Sequence, residues 1–248
     1  MQSVMQPILE ATHITKTFHE HGGSRFRAVD DISLTVREGE CVGIVGESGS
    51  GKSTMARIVT RLILSDSGSV KLCGEELTTA KGAALRAAYR NMKMIFQEPR
   101  SSFDSRLTLG ESICEALKPV MADKKARMEA AGRLLCSVSL NEDFLSFYPG
   151  QVSGGECQRA AIARALAQKP KLLICDEATS ALDVSVQAQI IALLNEIRRE
   201  QQLSLLFISH DLALVSSFCD RLYVLYEGKV VEEGETAQVI QNPRQPYT

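Results

Sequence analysis

The chain has 248 residues, of which 44% are apolar and 23% charged, a balance that is ordinary for a globular protein with a sizeable core. Its 28 basic and 30 acidic residues give a formal net charge of −2, which argues against a general polyanion binder. No apolar run approaches the roughly 18 residues of a membrane span, and residues 1–10 lack the basic start and apolar stretch of a secretory signal.

The seven cysteines are dispersed along the chain, without the paired spacing of a zinc site or a dithiol redox motif. Cys41 and Cys175 lie inside apolar runs, where we expect small buried thiols. This usage predicts a reducing, cytoplasmic environment.

The first part of the chain is predicted to be β structure that leads into a strand, a glycine-rich loop and a helix. Strand-like patterns cover Ile8–Phe18 and the alternating apolar positions Ile32, Leu34 and Val36. The apolar run Cys41–Val45 then ends in the glycine-rich stretch. After it, apolar residues follow at helical spacing up to a stop at 65–68; they are Met55, Ile58, Val59 and Leu62.

The remainder predicts a helical region followed by a return of strand–helix alternation. Residues 99–150 show amphipathic helical patterns and no convincing strand. Leu172–Cys175 and Leu203–Ile208 are predicted strands with a helix between them, and Leu222–Val231 is a predicted hairpin that turns at 227–228. Alternating strands and helices favour an α/β fold with a mostly parallel sheet covered on both faces.

The glycine-rich stretch matches the phosphate-loop pattern at every required position. These positions are Gly46, Glu47, Ser48, Gly49, Ser50, Gly51, Lys52 and Ser53. Glycines let successive amides face the phosphates, and the start of the helix adds partial positive charge. We expect Lys52 to reach the β- and γ-phosphates of ATP, Ser53 to bind Mg²⁺, and Thr54 to complete the ATP-binding set. The alternative is a plain glycine-rich turn between a strand and a helix.

Two carboxylates end the apolar run that begins at Leu172. The strand would fix Asp176 near the magnesium ion, and Glu177 could then orient or deprotonate the attacking water. On its own the pair could also be an acidic turn after a core strand.

The segment Val152–Glu156 precedes an apolar helical pattern. Ser153 with Glu156 predicts a capping box, which explains the segment without any ligand. A capping box does not need the adjacent glycines Gly154 and Gly155, which would let a phosphate approach the first amides of the helix. One chain cannot easily bring this second site to its own phosphate loop, so the pattern predicts a head-to-tail dimer.

Taken with Gln97, Ser180–Asp183 and His210, these motifs resemble those of the ATP-binding subunits of ABC transporters over nearly the whole chain. The family signature would occupy Val152–Glu156, with valine and glutamate where leucine and glutamine are commonest. The resemblance implies that Gln97 senses magnesium and the membrane partner, and that His210 contacts the γ-phosphate.

The resemblance also assigns residues to the dimer contact and to the adenine. It places Asp183 at the dimer seam, although Asp183 is equally a candidate N-cap for the next helix. Phe18 is the preferred aromatic to stack on adenine, with Phe26 as the alternative.

The fold implied is α/β, a P-loop NTPase (RecA-like) core with an N-terminal antiparallel β portion and an inserted α-helical subdomain. Residues 1–97 and 161–248 would form the core and residues 98–160 the helical subdomain. The implied activity is hydrolysis of ATP with Mg²⁺ between two subunits, identical or related. The partners implied are a membrane permease and, indirectly, a substrate-binding protein, with the chain peripheral at the cytoplasmic face of the inner membrane and no nucleic acid bound.

The tail Asn242–Thr248 resembles the Pro-x-Pro-Tyr-Thr ending of oligopeptide, dipeptide and nickel importer ATPases. Phe96–Arg106 resembles the lid segment of that subfamily but departs from it at Asp104 and Ser105. Uptake of peptides, nickel or a related solute is therefore implied. Two alternatives stay open, a soluble ABC-type ATPase that acts on nucleic acid or ribosomes and an ATP-binding module that does not hydrolyse. A small-molecule kinase would not need Ser153–Gly155.

Overall fold

The N-terminal strands form an antiparallel sheet of their own. The computed structural model of the protein describes residues 7–19 and 25–248. In this sheet the strands lie in the order β2-β1-β4-β5. Their bounds are Pro7–His19 (β1), Arg25–Arg37 (β2), Ser67–Leu72 (β4) and Glu75–Glu76 (β5).

The second sheet has six strands in the order β10-β9-β3-β8-β7-β6. Their bounds are Cys41–Val45 (β3), Met92–Ile95 (β6), Leu172–Asp176 (β7), Ser204–Ser209 (β8), Arg221–Tyr226 (β9) and Lys229–Glu235 (β10). Five strands are parallel, and only β10 runs antiparallel, as the second arm of a hairpin with β9. Because the neighbouring strands β3, β8, β7 and β6 are parallel, their carboxyl ends meet at one edge of the sheet.

Eight α-helices are described. Their bounds are Lys52–Val59 (α1), Gly82–Asn91 (α2), Leu109–Leu117 (α3), Lys124–Ser137 (α4), Gly154–Leu166 (α5), Val184–Gln201 (α6), Leu212–Phe218 (α7) and Thr236–Gln241 (α8). In the described part of the chain no helix is both long and apolar enough to span a membrane.

The six-stranded sheet separates two hydrophobic clusters, because successive side chains of a strand point to opposite faces. In β7, Leu173 and Cys175 belong to the cluster that includes the helical middle of the chain. Leu172 and Ile174 belong to the cluster shared with the N-terminal sheet and α1. Burial on both faces explains why the inner strands read as continuous apolar runs.

The predicted α/β fold with a mostly parallel sheet is confirmed, as are the hairpin and the buried thiols of Cys41 and Cys175. The prediction for Leu62 was wrong. Helix α1 ends at Val59 and Arg61 adopts a left-handed conformation (φ 61°), so Leu62 leaves the apolar face and is 52% exposed. Sequence patterns did not identify α2, β4, β5 or β6.

Helices without strands fill the middle of the chain between β6 and β7, in agreement with the pattern of residues 99–150. The boundary predicted after residue 160 falls inside α5. A division there would cut one helix in two, because the apolar face of α5 continues to Leu166, which is buried.

Candidate functional site

The glycine-rich segment forms a tight loop between β3 and α1. Gly46, Gly49 and Gly51 have φ values of 152°, 84° and 102°. A Cβ atom at Gly46 would lie 2.2 Å from the carbonyl oxygen of Leu225, and one at Gly51 would lie 2.3 Å from that of Ala28. Glycine is therefore required at both ends of the loop, because of the backbone conformation and because backbone carbonyl groups of other segments approach closely.

Lys52 is the first residue of α1 and is only 4% exposed. Its Nζ donates hydrogen bonds of 2.7 Å to the carbonyl oxygens of Gly46 and Glu47, which hold the ammonium group against the loop. Burial lowers the pKa of Lys52, and the nearby carboxylates of Glu177 and Asp176 partly offset this effect.

Ser53 and Asp176 meet beside the loop, although they are 123 residues apart in the sequence. The Ser53 hydroxyl donates a hydrogen bond of 2.9 Å to Oδ1 of Asp176. Burial at the end of β7 raises the pKa of Asp176, while the bond from Ser53 acts in the opposite direction. A hydroxyl and a carboxylate are the hard oxygen ligands that Mg²⁺ prefers, so this donor pair fits the ion.

Glu177 follows directly on the same strand end and faces the next strand. Its backbone has φ 48°, and its amide donates to the carbonyl oxygen of Ile208 at 3.0 Å. His210 follows β8, and its Nδ1 lies 3.6 Å from Oε1 of Glu177. The two predicted catalytic side chains therefore lie next to each other at the carboxyl edge of the sheet.

A cavity of about 630 Å³ lies over this edge. Its lining residues come from the end of β3 and the phosphate loop, the ends of β7, β8 and β9, the start of α7, and the tail: Val45, Gly46, Glu47, Ser48, Glu177, His210, Leu212, Val224, Tyr247 and Thr248. The tail residues Tyr247 and Thr248 were noted in the sequence only as part of a family ending. No local pattern indicated that they would form a wall of this cavity.

Gln97 follows the outer parallel strand β6 and reaches the same region. Its Nε2 donates to the hydroxyl of Ser180 at 3.3 Å, and that hydroxyl donates to the carbonyl oxygen of Glu177 at 3.0 Å. The side chain of Gln97 is thus linked through Ser180 to the backbone of Glu177.

The comparisons with known proteins agree with this geometry. The family model described as "ABC transporter" matches residues 29–180, which is more than half of the chain. The chain belongs to the ABC transporter family.

The most similar relatives include ATP-binding proteins of bacterial transport systems. The oligopeptide transport ATP-binding protein OppF of Escherichia coli is 46% identical over 225 residues, which cover 90% of this chain and 67% of that protein. OppF of Bacillus subtilis is 42% identical over 98% of this chain and 80% of its own length. The glutathione import ATP-binding protein GsiA of Pectobacterium atrosepticum is 42% identical over 98% of this chain and 40% of its own length.

Solved structures of ABC cassettes share the fold. The dimeric post-hydrolysis state of the cassette MJ0796 bound to ADP and Pi superposes with a TM-score of 0.82 at 30% identity, covering 92% of this chain and 98% of that one. The ADP conformation of the cassette MJ1267 gives a TM-score of 0.80 at 25% identity, covering 96% of both chains.

In this ABC ATPase, Ser153 caps α5. Its hydroxyl accepts a hydrogen bond from the Glu156 amide (3.3 Å), and Oε2 of Glu156 accepts from the hydroxyl and the amide of Ser153 (2.7 Å each). The predicted capping box is confirmed, and the hydrogen bonds from Ser153 lower the pKa of Glu156. No hydrogen bond joins Ser153–Gly155 to the phosphate loop within residues 7–19 and 25–248.

The two aromatic candidates for adenine lie side by side in the N-terminal sheet of this ABC ATPase. Phe18 on β1 is directly opposite Phe26 on β2, so both side chains project from the same face. Phe26 lines a cavity beside Ser48–Ser50, whereas Phe18 packs with Nζ of Lys16 5.7 Å from its ring centre. Stacking of Phe18 on adenine stays a prediction.

Proposed function

We propose that this chain is the ATP-hydrolysing subunit of an ABC importer that takes up peptides or a related small solute through a membrane permease. The observation that carries the proposal is the meeting of Lys52, Ser53, Asp176, Glu177 and His210 at one sheet edge. The relatives described above are named as transport or import subunits, which favours this function over an ATPase that acts on nucleic acid or ribosomes.

Three side chains are proposed to hold Mg²⁺. Ser53 and Asp176 supply oxygen ligands 2.9 Å apart, and the amide nitrogen of Gln97 faces Ser180, which leaves its amide oxygen for the ion. When bound, the ion would neutralise charge on the β- and γ-phosphates. Lys52 and the loop amides would hold the same phosphates.

Glu177 is the proposed general base. Its carboxylate would accept a proton from the water as the water oxygen bonds to the γ-phosphorus; the bond between that phosphorus and the bridging oxygen breaks, ADP leaves with the bonding electron pair, and the γ-phosphorus becomes inorganic phosphate. His210, 3.6 Å away, would contact the γ-phosphate and keep the carboxylate oriented. Ser153, Gly154 and Gly155 of a second ATPase subunit would complete each site from the opposite side.

We infer the rest of the assembly from the family resemblance and from the names of the relatives. Hydrolysis removes the phosphate shared by the two subunits, so the dimer opens and the lid segment after Gln97 moves the permease. The chain would act at the cytoplasmic face of the inner membrane and meet the substrate-binding protein only through the permease. We favour peptides as the transported substrate because the relatives are named for oligopeptide transport. Nickel is the other substrate suggested by the resemblance of the tail.

The test compares ATP turnover of wild type, Glu177→Gln and the exposed control Glu129→Gln on α4. We expect turnover of Glu177→Gln to fall about 10²- to 10⁴-fold, the usual contribution of a general base, while Glu129→Gln matches wild type. Sedimentation with ATP and Mg²⁺ should show a persistent dimer for Glu177→Gln. Turnover of this variant at the wild-type rate would contradict the assignment of Glu177.

A further inference from the structure

The tail segment, residues 242–248, returns to the phosphate loop. The hydroxyl of Tyr247 accepts a hydrogen bond of 2.9 Å from the backbone amide of Glu47, which is 200 residues away in the sequence. The Tyr247 ring packs on Tyr226, at the end of β9, with 4.5 Å between the ring centres. A single side chain thus joins the tail, the hairpin and the second residue of the loop.

A buried carboxylate anchors the backbone of the tail. Glu232 of β10 is 8% exposed, and its two oxygens accept hydrogen bonds from the amides of Arg244 (2.8 Å) and Gln245 (3.2 Å). Pro243 and Pro246 flank these two residues and restrict the backbone, so little conformational entropy is lost when the tail docks. The hydrogen bonds to Glu232 therefore fix the backbone of the segment that places Tyr247 beside the loop.

The β9–β10 hairpin supports the loop from another side. The amide of Gly228, in the turn, donates a hydrogen bond of 3.1 Å to the carbonyl oxygen of Ser50. Tyr247 holds the start of the loop at Glu47, and Gly228 holds it three residues later. Both supports belong to the same hairpin-and-tail unit, because Glu232 lies on β10.

We propose that residues 244–248 clamp the phosphate loop and that Tyr247 is a positioning residue for ATP binding. A glycine-rich loop has many accessible conformations, and holding it in one of them before ATP arrives reduces the entropy lost on binding. The same tail residues line the cavity that contains Glu177 and His210, so the clamp lies at the site of the chemistry. This inference rests on the proposed function as an ATPase.

The test is Tyr247→Phe in the full chain, which removes the hydroxyl and keeps the ring on Tyr226. A hydrogen bond of ordinary net strength corresponds to about a fivefold change in an equilibrium constant. We therefore expect KM and Kd for ATP to rise about fivefold, with kcat changed less than about twofold, because the contact holds the loop and touches no reacting atom. Amide hydrogen exchange in the loop of the nucleotide-free protein should become faster.

The matched control is Tyr89→Phe on α2, since the Tyr89 hydroxyl makes no hydrogen bond with any residue that the structure describes. Glu232→Gln, which weakens the anchor, should raise KM in the same direction. Its effect should be less than additive with Tyr247→Phe, because both variants act through one tail.

The outcomes separate this inference from the proposed function. If wild type and Tyr89→Phe fail to hydrolyse ATP, the proposed function fails. If both hydrolyse ATP while Tyr247→Phe keeps the wild-type KM and loop exchange, the clamp is refuted and the function stands. A fall in melting temperature of Tyr247→Phe without a change in KM would likewise show that the tail only stabilises the fold.

Discussion

At the scale of single residues, the site holds buried charges that are costly for the folded chain. Burial lowers the pKa of Lys52 and raises that of Asp176, which means that the charged form of each is disfavoured where it lies. The ligand-binding arrangement is therefore maintained at some expense of stability, a common feature of functional sites.

We expect Asp176→Asn to raise the melting temperature of the nucleotide-free protein at pH 7. The pKa of Asp176 is higher in the folded protein than in the unfolded chain. The protonated carboxyl group therefore makes its full contribution to the free energy of unfolding below the unfolded pKa of 3.8, and this contribution is lost as the pH rises through the folded pKa. The advantage of the variant should therefore shrink as pH is lowered towards 4. Melting temperatures measured at pH 7 and pH 4 check this prediction, with the exposed variant Asp143→Asn as the control. If the gain in melting temperature of Asp176→Asn were the same at both pH values, the charge of Asp176 would not be its cause.

At the scale of elements, the two glycines that begin α5 are not equivalent. A Cβ atom at Gly155 would lie 2.6 Å from Cγ1 of Val186 on α6, whereas one at Gly154 would lie 3.4 Å from Cδ2 of Leu182, an ordinary contact. The β-branched side chain of Val186 has little rotameric freedom in a helix and cannot easily move away. The packing of α5 against α6 thus constrains Gly155 independently of any ligand.

Gly155→Ala should lower the free energy of unfolding by about 1–3 kcal/mol through overpacking. Gly154→Ala, the matched control, should be close to neutral in stability. Adding Val186→Ala should recover most of the loss of Gly155→Ala, because it removes the clashing methyl group. Urea unfolding measures all three, and equal losses for the two glycine variants would argue against the packing explanation.

At the scale of the whole molecule, arginines join the segment after Gln97 to the helical middle of the chain. Arg164 of α5 donates to the carbonyl oxygen and hydroxyl of Ser102 (2.7 and 2.8 Å), and its guanidinium lies 4.0 Å from the ring centre of Phe103. Arg100 donates to the carbonyl oxygen of Val152 at 2.6 Å, one residue before Ser153. We propose on this basis that residues 98–160, with the remainder of α5, move as one body.

Arg164→Ala should lower the free energy of unfolding by about 2–3 kcal/mol, because it removes two charge-assisted hydrogen bonds and an aromatic stack. The free energy of unfolding of Arg164→Lys should lie between those of Arg164→Ala and wild type, since lysine keeps the charge but not the planar guanidinium group. Chemical denaturation is the measurement. A lysine variant as unstable as the alanine variant would show that the geometry, and not the charge, carries the stabilisation.

Sequence patterns alone were enough to predict those parts of the site whose residues are close together in the chain. The phosphate loop, the strand that ends in Asp176 and the capping box of Ser153 each depend on spacing within about one element, and each has the predicted local structure. The position of Leu62 was predicted wrongly, because the end of α1 is decided by one or two backbone dihedral angles that apolar spacing does not encode.

Which of these parts meet in space depends on the three-dimensional fold. Gln97, Asp176 and His210 lie at one edge of the sheet because the strands that precede them or contain them are parallel neighbours. No local sequence pattern predicts the order of the strands. The contact of Tyr247 with Glu47 spans 200 residues, so no spacing rule could have indicated it. Residues far apart in the chain are brought together by burial of both faces of the sheet, which is a property of the whole fold.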